Sequence, residues 1–248
     1  MSYGTRMKRS EDMHTTEVRR APYRPSRTLL IGVAAAAVLL IGALAVVLSH
    51  DDSPTTAGTP AGVNASAEEV ATSFLQAYGS FDADQAVAYL SDYADISGLM
   101  TSVGAQGIQG TQAEFRLLIA LAEALGYKQM HMSCEELGRL TSGTRVSCTS
   151  DYHNFRSDEL GRGPFSAVSF DLTVRDGEIV QARQDFGIEE FSTQMWDPFA
   201  RWVSKAYPED AAVMYDGESG VRLSEESIRL WDRHTRDYVA EVGRRADS

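Results

Sequence analysis

Between Thr28 and Ser49 the chain runs for 22 residues, TLLIGVAAAAVLLIGALAVVLS, without one charged side chain. A helix rises about 1.5 Å per residue, so the run is long enough to cross a hydrocarbon core of roughly 30 Å. A cleaved signal peptide would carry a shorter apolar core, about 7 to 15 residues, ending at a small-residue site. Here the nearby Ala43-Leu44-Ala45 lies inside the run, with Val46, Val47 and Leu48 still to come. Arg19-Arg20 invites a twin-arginine export reading, which Pro22 and the rest of the tail fit poorly. The expectation is a retained single transmembrane helix over 28–49, in contact with the lipid bilayer.

Basic residues beside a span resist translocation, so charge sets orientation. Residues 1–27 carry seven basic and three acidic side chains, net +4, and the remainder sixteen basic and thirty-two acidic, net −16; together they give the formal −12 of the whole chain. This places the N-terminus in the cytoplasm and the C-terminal portion outside, on a cell membrane. An acidic outer portion excludes nucleic acid as a partner, since phosphates repel a surface of their own sign.

The tail 1–27 mixes Arg, Ser, Thr and Pro without hydrophobic periodicity and is expected to be disordered. Residues 50–65, rich in Pro, Gly, Thr and Ala, read as a flexible linker. Three capping boxes then announce helices: Ser66-Ala67-Glu68-Glu69, Asp82-Ala83-Asp84-Gln85 and Thr111-Gln112-Ala113-Glu114, with Gly126 closing the third. Residues 92–110 show no clear period. From Lys128 the period becomes two, giving strands over 129–137 and 144–154, and over 165–175 and 178–186 around the hairpin signal Asp176-Gly177. Helical signals return with Asp197 capping Pro198 and Ser224 capping a last helix. The expected fold class is α+β: a membrane helix, a domain over 66–191 and a helical extension over 192–248. In the extension Trp196, Trp202 and Trp231 would dock the added helices.

The two cysteines, Cys134 and Cys148, face one another if the first hairpin turns around Thr141, which also sets Met132 opposite Ser150 and Met130 opposite Tyr152. Directly opposed residues allow a disulfide, and an outside address favours one over free thiols. On the other face His131 falls across from Asp151 and diagonal to His153, a set that could hold a divalent cation or form a plain polar surface. No cofactor is indicated.

If Asp176-Gly177 is a two-residue turn, Val174 pairs with Ile179, Leu172 with Gln181, Phe170 with Arg183 and Val168 with Asp185. An apolar face then acquires Gln181, Arg183 and Asp185. A carboxylate in that setting could serve as a general acid or base, or simply pair with Arg183. Tyr78, Tyr89, Tyr93 and Tyr152 are candidate hydroxyl partners, with Tyr78 and Tyr93 placed in the pocket alongside Gln181, Arg183 and Asp185.

The stretch ATSFLQAYGSFDADQAVAYLSD and the strand-turn-strand VSFDLTVRDGEIVQARQDF resemble the nuclear transport factor 2-like superfamily, which includes SnoaL-like and ketosteroid-isomerase-like domains. The resemblance covers roughly 66–190 and implies helices packed on a curved antiparallel sheet around a conical pocket. The layout of a short inside tail, one span and such an outer domain is similar to membrane proteins associated with mammalian-cell-entry transport, which implies assembly in the cell envelope. The leading expectation is non-catalytic binding or assembly, with another envelope protein or a small hydrophobic ligand as partner; the alternatives are a small-molecule isomerase, dehydratase or hydrolase, or a lipid or sterol pocket, using Asp185.

Overall fold

The computed structural model describes residues 65–248, apart from 103, 106–107, 217–219 and 247–248. The tail 1–27, the span 28–49 and all but the last residue of the linker lie outside the described residues. Among the described residues no helix is long and apolar enough to cross a membrane.

Helix α1 (Ala67–Gly79) starts where its capping box dictates: Ser66 Oγ accepts from the Glu69 amide at 3.1 Å, and Glu69 Oε2 accepts from the Ser66 amide at 2.7 Å. Its buried stripe, Val70, Phe74 and Tyr78, recurs every four residues and lies across the sheet. Asp82 caps the short α2 (Ala83–Ala88), and the Thr111–Glu114 box opens α4 (Gln112–Ala124). Phe115 of α4 stacks on Phe74 and Tyr78, with centroids 6.0 and 5.5 Å apart.

The aperiodic stretch after α2 is not irregular throughout. Leu90–Ile96 forms β1 and Ser97–Thr101 a short α3. Strand β1 runs parallel to β5, in register at Leu90–Ile179 and Asp95–Gln181 with a bulge between, so no alternation survives to mark it in the sequence. With β2 (Lys128–Leu140), β3 (Gly143–His153), β4 (Phe165–Arg175) and β5 (Glu178–Phe186), the sheet has the order β1-β5-β4-β3-β2. It is mixed, where the sequence suggests an antiparallel one.

The second hairpin turns where expected; the first turns at Thr141-Ser142, with Leu140 opposite Gly143, and the extra residue Leu137 restores the expected register at the cysteines. Asp176 and Gly177 have φ of 54° and 83°, the left-handed pair that a two-residue hairpin turn demands. Cys134 lies opposite Cys148 and the two are joined by a disulfide. Beyond these points the register departs. In β2 an extra residue between Met130 and Ser133 puts Met130 opposite Asp151 and Gln129 opposite Tyr152, correcting the Met130–Tyr152 pairing, while His131 and Met132 share the bulge opposite Ser150. In β5 Val180 is extra: Val174 still faces Ile179, but Gln181 faces Thr173, Arg183 faces Asp171 and Asp185 faces Ser169. A slip of one residue moves every following side chain to the opposite face.

After β5 the chain forms one long rod, α5 (Glu189–Phe191), a π turn over Ser192–Trp196 and α6 (Asp197–Ala206). Asp197 is therefore not an N-cap, because the helix is already running when it arrives. Helix α7 (Pro208–Met214), a two-stranded ribbon of β6 (Tyr215–Asp216) and β7 (Gly220–Val221), and α8 (Glu225–Ala246) complete the chain. Helix α8 packs on α4. Arg156, from the loop after β3, reaches Asp232 Oδ1 at 3.1 Å and the Ala124 carbonyl at 3.4 Å, linking the helices. Phe155 sits beneath the extension, with ring centroids 5.1 to 5.7 Å from Phe191, Trp196, Phe199 and Trp231.

Candidate functional site

The bulge at Val180 decides what the two faces of the sheet carry. Toward the helices point Cys148, Phe170 and Gln184, directly opposed across three strands, then Ser150, Val168 and Phe186. All six are buried. Toward the other face point Arg145, Asp171, Thr173, Gln181 and Arg183, which with Leu140 line a groove of about 270 Å³.

The inner face is aromatic with a few neutral polar groups set into it. The hydroxyls of Tyr78 and Tyr152 and both amide atoms of Gln184 are buried and make no hydrogen bond to protein. The Tyr127 hydroxyl is buried beside that of Ser150 without reaching hydrogen-bond geometry. Buried polar atoms ordinarily find partners, because leaving one unpaired costs about 1–3 kcal/mol. Four residues of this one interior, Tyr78, Tyr127, Tyr152 and Gln184, carry such unpartnered atoms.

Burial holds these hydroxyls protonated. It pushes Tyr78 well above the ordinary phenol range, with Tyr127 adding to it; Tyr127 is raised the same way, with a contribution from Tyr152 and a partial offset by Ser150. Tyr152 is raised by burial first and by the nearby Glu190 carboxylate second. At neutral pH all three are neutral hydrogen-bond donors. Tyr152 is also the bridge to the extension: its ring centroid lies 5.8 Å from Tyr127, 5.4 Å from Phe186 and 5.9 Å from Phe191.

The residues singled out from the sequence divide accordingly. Tyr78 and Tyr152 are inside, as is the Tyr89 ring. Tyr93 is 96% exposed on the bulged part of β1 and lies outside any interior pocket. Asp185 is exposed on the outer face, and Arg183 is exposed there too. The two make no salt bridge with each other among the described residues, and Asp185 does not lie on the apolar face where the count from the turn puts it. Gln181 Nε2 donates to Asp95 Oδ2 at 3.3 Å, and Asp171 is engaged by Arg145 at 3.0 Å. The interior thus presents Gln184 where a carboxylate at 185 was expected. Gln184 and Tyr127 are the two members that sequence reasoning missed.

The metal candidates also separate. His131 occupies the β2 bulge with φ 53° and meets Asp151 Oδ2 at 3.1 Å. His153 Nδ1 instead lies 3.1 Å from both Ser157 Oγ and the Arg162 carbonyl. Among the described residues no group of three His, Cys, Asp or Glu could hold a metal ion.

No family model matches the chain, and no curated protein matches it. Solved structures similar to part of it include a candidate polyketide cyclase from Sinorhizobium meliloti, at 16% identity and TM-score 0.34, over 47% of this chain and 93% of that one. A candidate polyketide cyclase from Pseudomonas putida matches at 15% identity and TM-score 0.36, over 52% of this chain and 98% of that one. A nuclear transport factor 2-like protein of unknown function from Cytophaga hutchinsonii matches at 16% identity and TM-score 0.34, over 50% and 91%. At these scores the likeness places no residue and assigns no activity.

Proposed function

We propose that this chain is a single-pass membrane protein whose extracytoplasmic, nuclear transport factor 2-like domain binds a small, uncharged, largely apolar molecule in its interior and performs no acid–base chemistry on it. The observation that carries the reading is the composition of the inner face. Its unpartnered polar groups are phenols and one amide, groups that orient a ligand carbonyl or hydroxyl by hydrogen bonds. General acid–base catalysis needs a group that changes protonation near the operating pH, and phenols driven upward by burial do not. The carboxylate and imidazole candidates, Asp185, Asp151, His131 and His153, sit elsewhere. The membrane address rests on the uncharged 22-residue run and its basic flank.

The test uses the full chain in nanodiscs and 4-fluorophenol, a neutral aromatic bearing one hydroxyl, followed by fluorine NMR. The wild type is expected to bind it in slow or intermediate exchange. Replacing Gln184 with Leu keeps the volume and removes the amide, so affinity should fall about tenfold or more, in line with the loss of one buried hydrogen bond. Stability should hold or rise, since the amide has no protein partner to lose. Undiminished affinity in Gln184→Leu would contradict the reading.

A further inference from the structure

We propose that the interior is reached through the segment Gly187–Trp196, a door plugged by Phe191 and latched by Arg162. The inference rests on the interior-binding reading and adds its access route.

The plug is Phe191. It is fully buried, and its ring lies 5.9 Å from Tyr152, 5.4 Å from Phe165 and 5.5 Å from Phe155, so it packs against the aromatic end of the interior that Tyr152 forms. Directly outside is a cleft of about 570 Å³ lined by Gly187, Ile188, Glu189, Glu190, Thr193 and Gln194. Glu190, which lines the cleft, is the chain neighbour of Phe191, whose ring packs against Tyr152, so the segment itself lies between cleft and interior.

The segment is built to move as a piece. Its first helical residues have no side-chain cap, and the π turn that follows departs from regular helix bonding. The Ser192 hydroxyl is buried with no partner. Pro198, lacking an N–H, offers nothing to the Gln194 carbonyl one turn behind it. Arg162, from the loop before β4, supplies what is missing: its Nη1 donates to the Gln194 carbonyl at 2.6 Å and touches Met195 Sδ at 3.5 Å. A cation from another element thus ties down a turn whose other bonds, from the Ser192 amide to the Ile188 carbonyl and from the Thr193 hydroxyl to the Glu189 carbonyl, are local. The rim, with Glu189 and Glu190, repels anions and admits neutral molecules, in keeping with the uncharged interior.

Two readouts on the full chain in nanodiscs separate failure of the door from failure of the site. Hydrogen exchange compares the amides of 188–196 with those of β3–β5. Removing a charge-assisted hydrogen bond in Arg162→Ala should accelerate exchange over 188–196 by roughly ten- to a hundredfold and leave β3–β5 unchanged. Arg162→Gln, which keeps a donor and much of the packing, should fall between. Exchange over 188–196 that is unchanged in both variants overturns the door, whatever binds inside. Fluorine NMR of 4-fluorophenol supplies the second readout: association and dissociation should quicken together in Arg162→Ala with Kd unaltered. A changed Kd carried by only one of the two rate constants overturns the door and makes Arg162 a binding residue. If wild type binds nothing, the interior-binding reading falls and takes the door with it, even where exchange responds to Arg162.

Discussion

Trp231→Ala should lower the unfolding free energy by about 3–5 kcal/mol, the range for removing a fully buried large aromatic. The ring is 0% exposed and lies 5.2 Å from Tyr215, 5.6 Å from Phe199, 5.7 Å from Phe155 and 5.9 Å from Trp196. It is the point where α8, the rod 189–206 and the loop after β3 meet, so no single neighbour can collapse into the space it leaves. Against a typical total of about 5–15 kcal/mol, such a loss removes a large share of the fold's margin. Trp231→Phe should cost less than about 1.5 kcal/mol, because it keeps most of the ring and deletes an indole N–H that has no partner. Guanidinium unfolding followed by circular dichroism measures both. Equal, small losses would mean that the extension is peripheral to the domain rather than part of its core.

Removing the cystine should cost about 3 kcal/mol, as the chain-entropy treatment gives for a loop of this size, with a sequence separation of 14. Cys148 is fully buried against Phe170 at the centre of the inner face, whereas its partner is only partly covered on the edge strand β2. The bridge therefore pins an exposed edge to the core. The double variant Cys134→Ala/Cys148→Ala and the dithiothreitol-reduced wild type should lose the same stability in guanidinium unfolding. No difference between oxidised and reduced protein would show that β2 is held by its packing and hydrogen bonds alone.

What the sequence shows of this fold follows from where its signals are local. Capping boxes act within four residues, so Ser66 and Thr111 announce their helices without knowledge of the rest of the chain. The Asp176-Gly177 turn is local to its hairpin, and the Cys134–Cys148 pairing is met because the extra residue Leu137 offsets a turn at Thr141-Ser142 that is one residue out of the expected count. Val180 and the residue inserted after Met130 are invisible to a count outward from the turn, because a bulge depends on how the partner strands twist. One such residue is enough to exchange Asp185 for Gln184 on the inner face and turn an apparent catalytic carboxylate into an exposed one. Strand β1 escapes notice for a related reason: a parallel pairing broken by a bulge leaves no alternation to read. The polar interior was half legible, through Tyr78 and Tyr152, since a tyrosine in an apolar stripe can be noted but its lack of a partner cannot.

Residue 184 faces the interior and residue 185 faces solvent, and the proposed orientation puts that solvent outside the cell. The native cystine leaves no free thiol among the described residues, so Gln184→Cys and Asp185→Cys each introduce a single reactive site. Treating intact cells with a membrane-impermeant maleimide should label Asp185→Cys and leave Gln184→Cys untouched until the protein is denatured. Labelling of Gln184→Cys with protection of Asp185→Cys would contradict the register, and labelling of Asp185→Cys only after lysis would contradict the orientation.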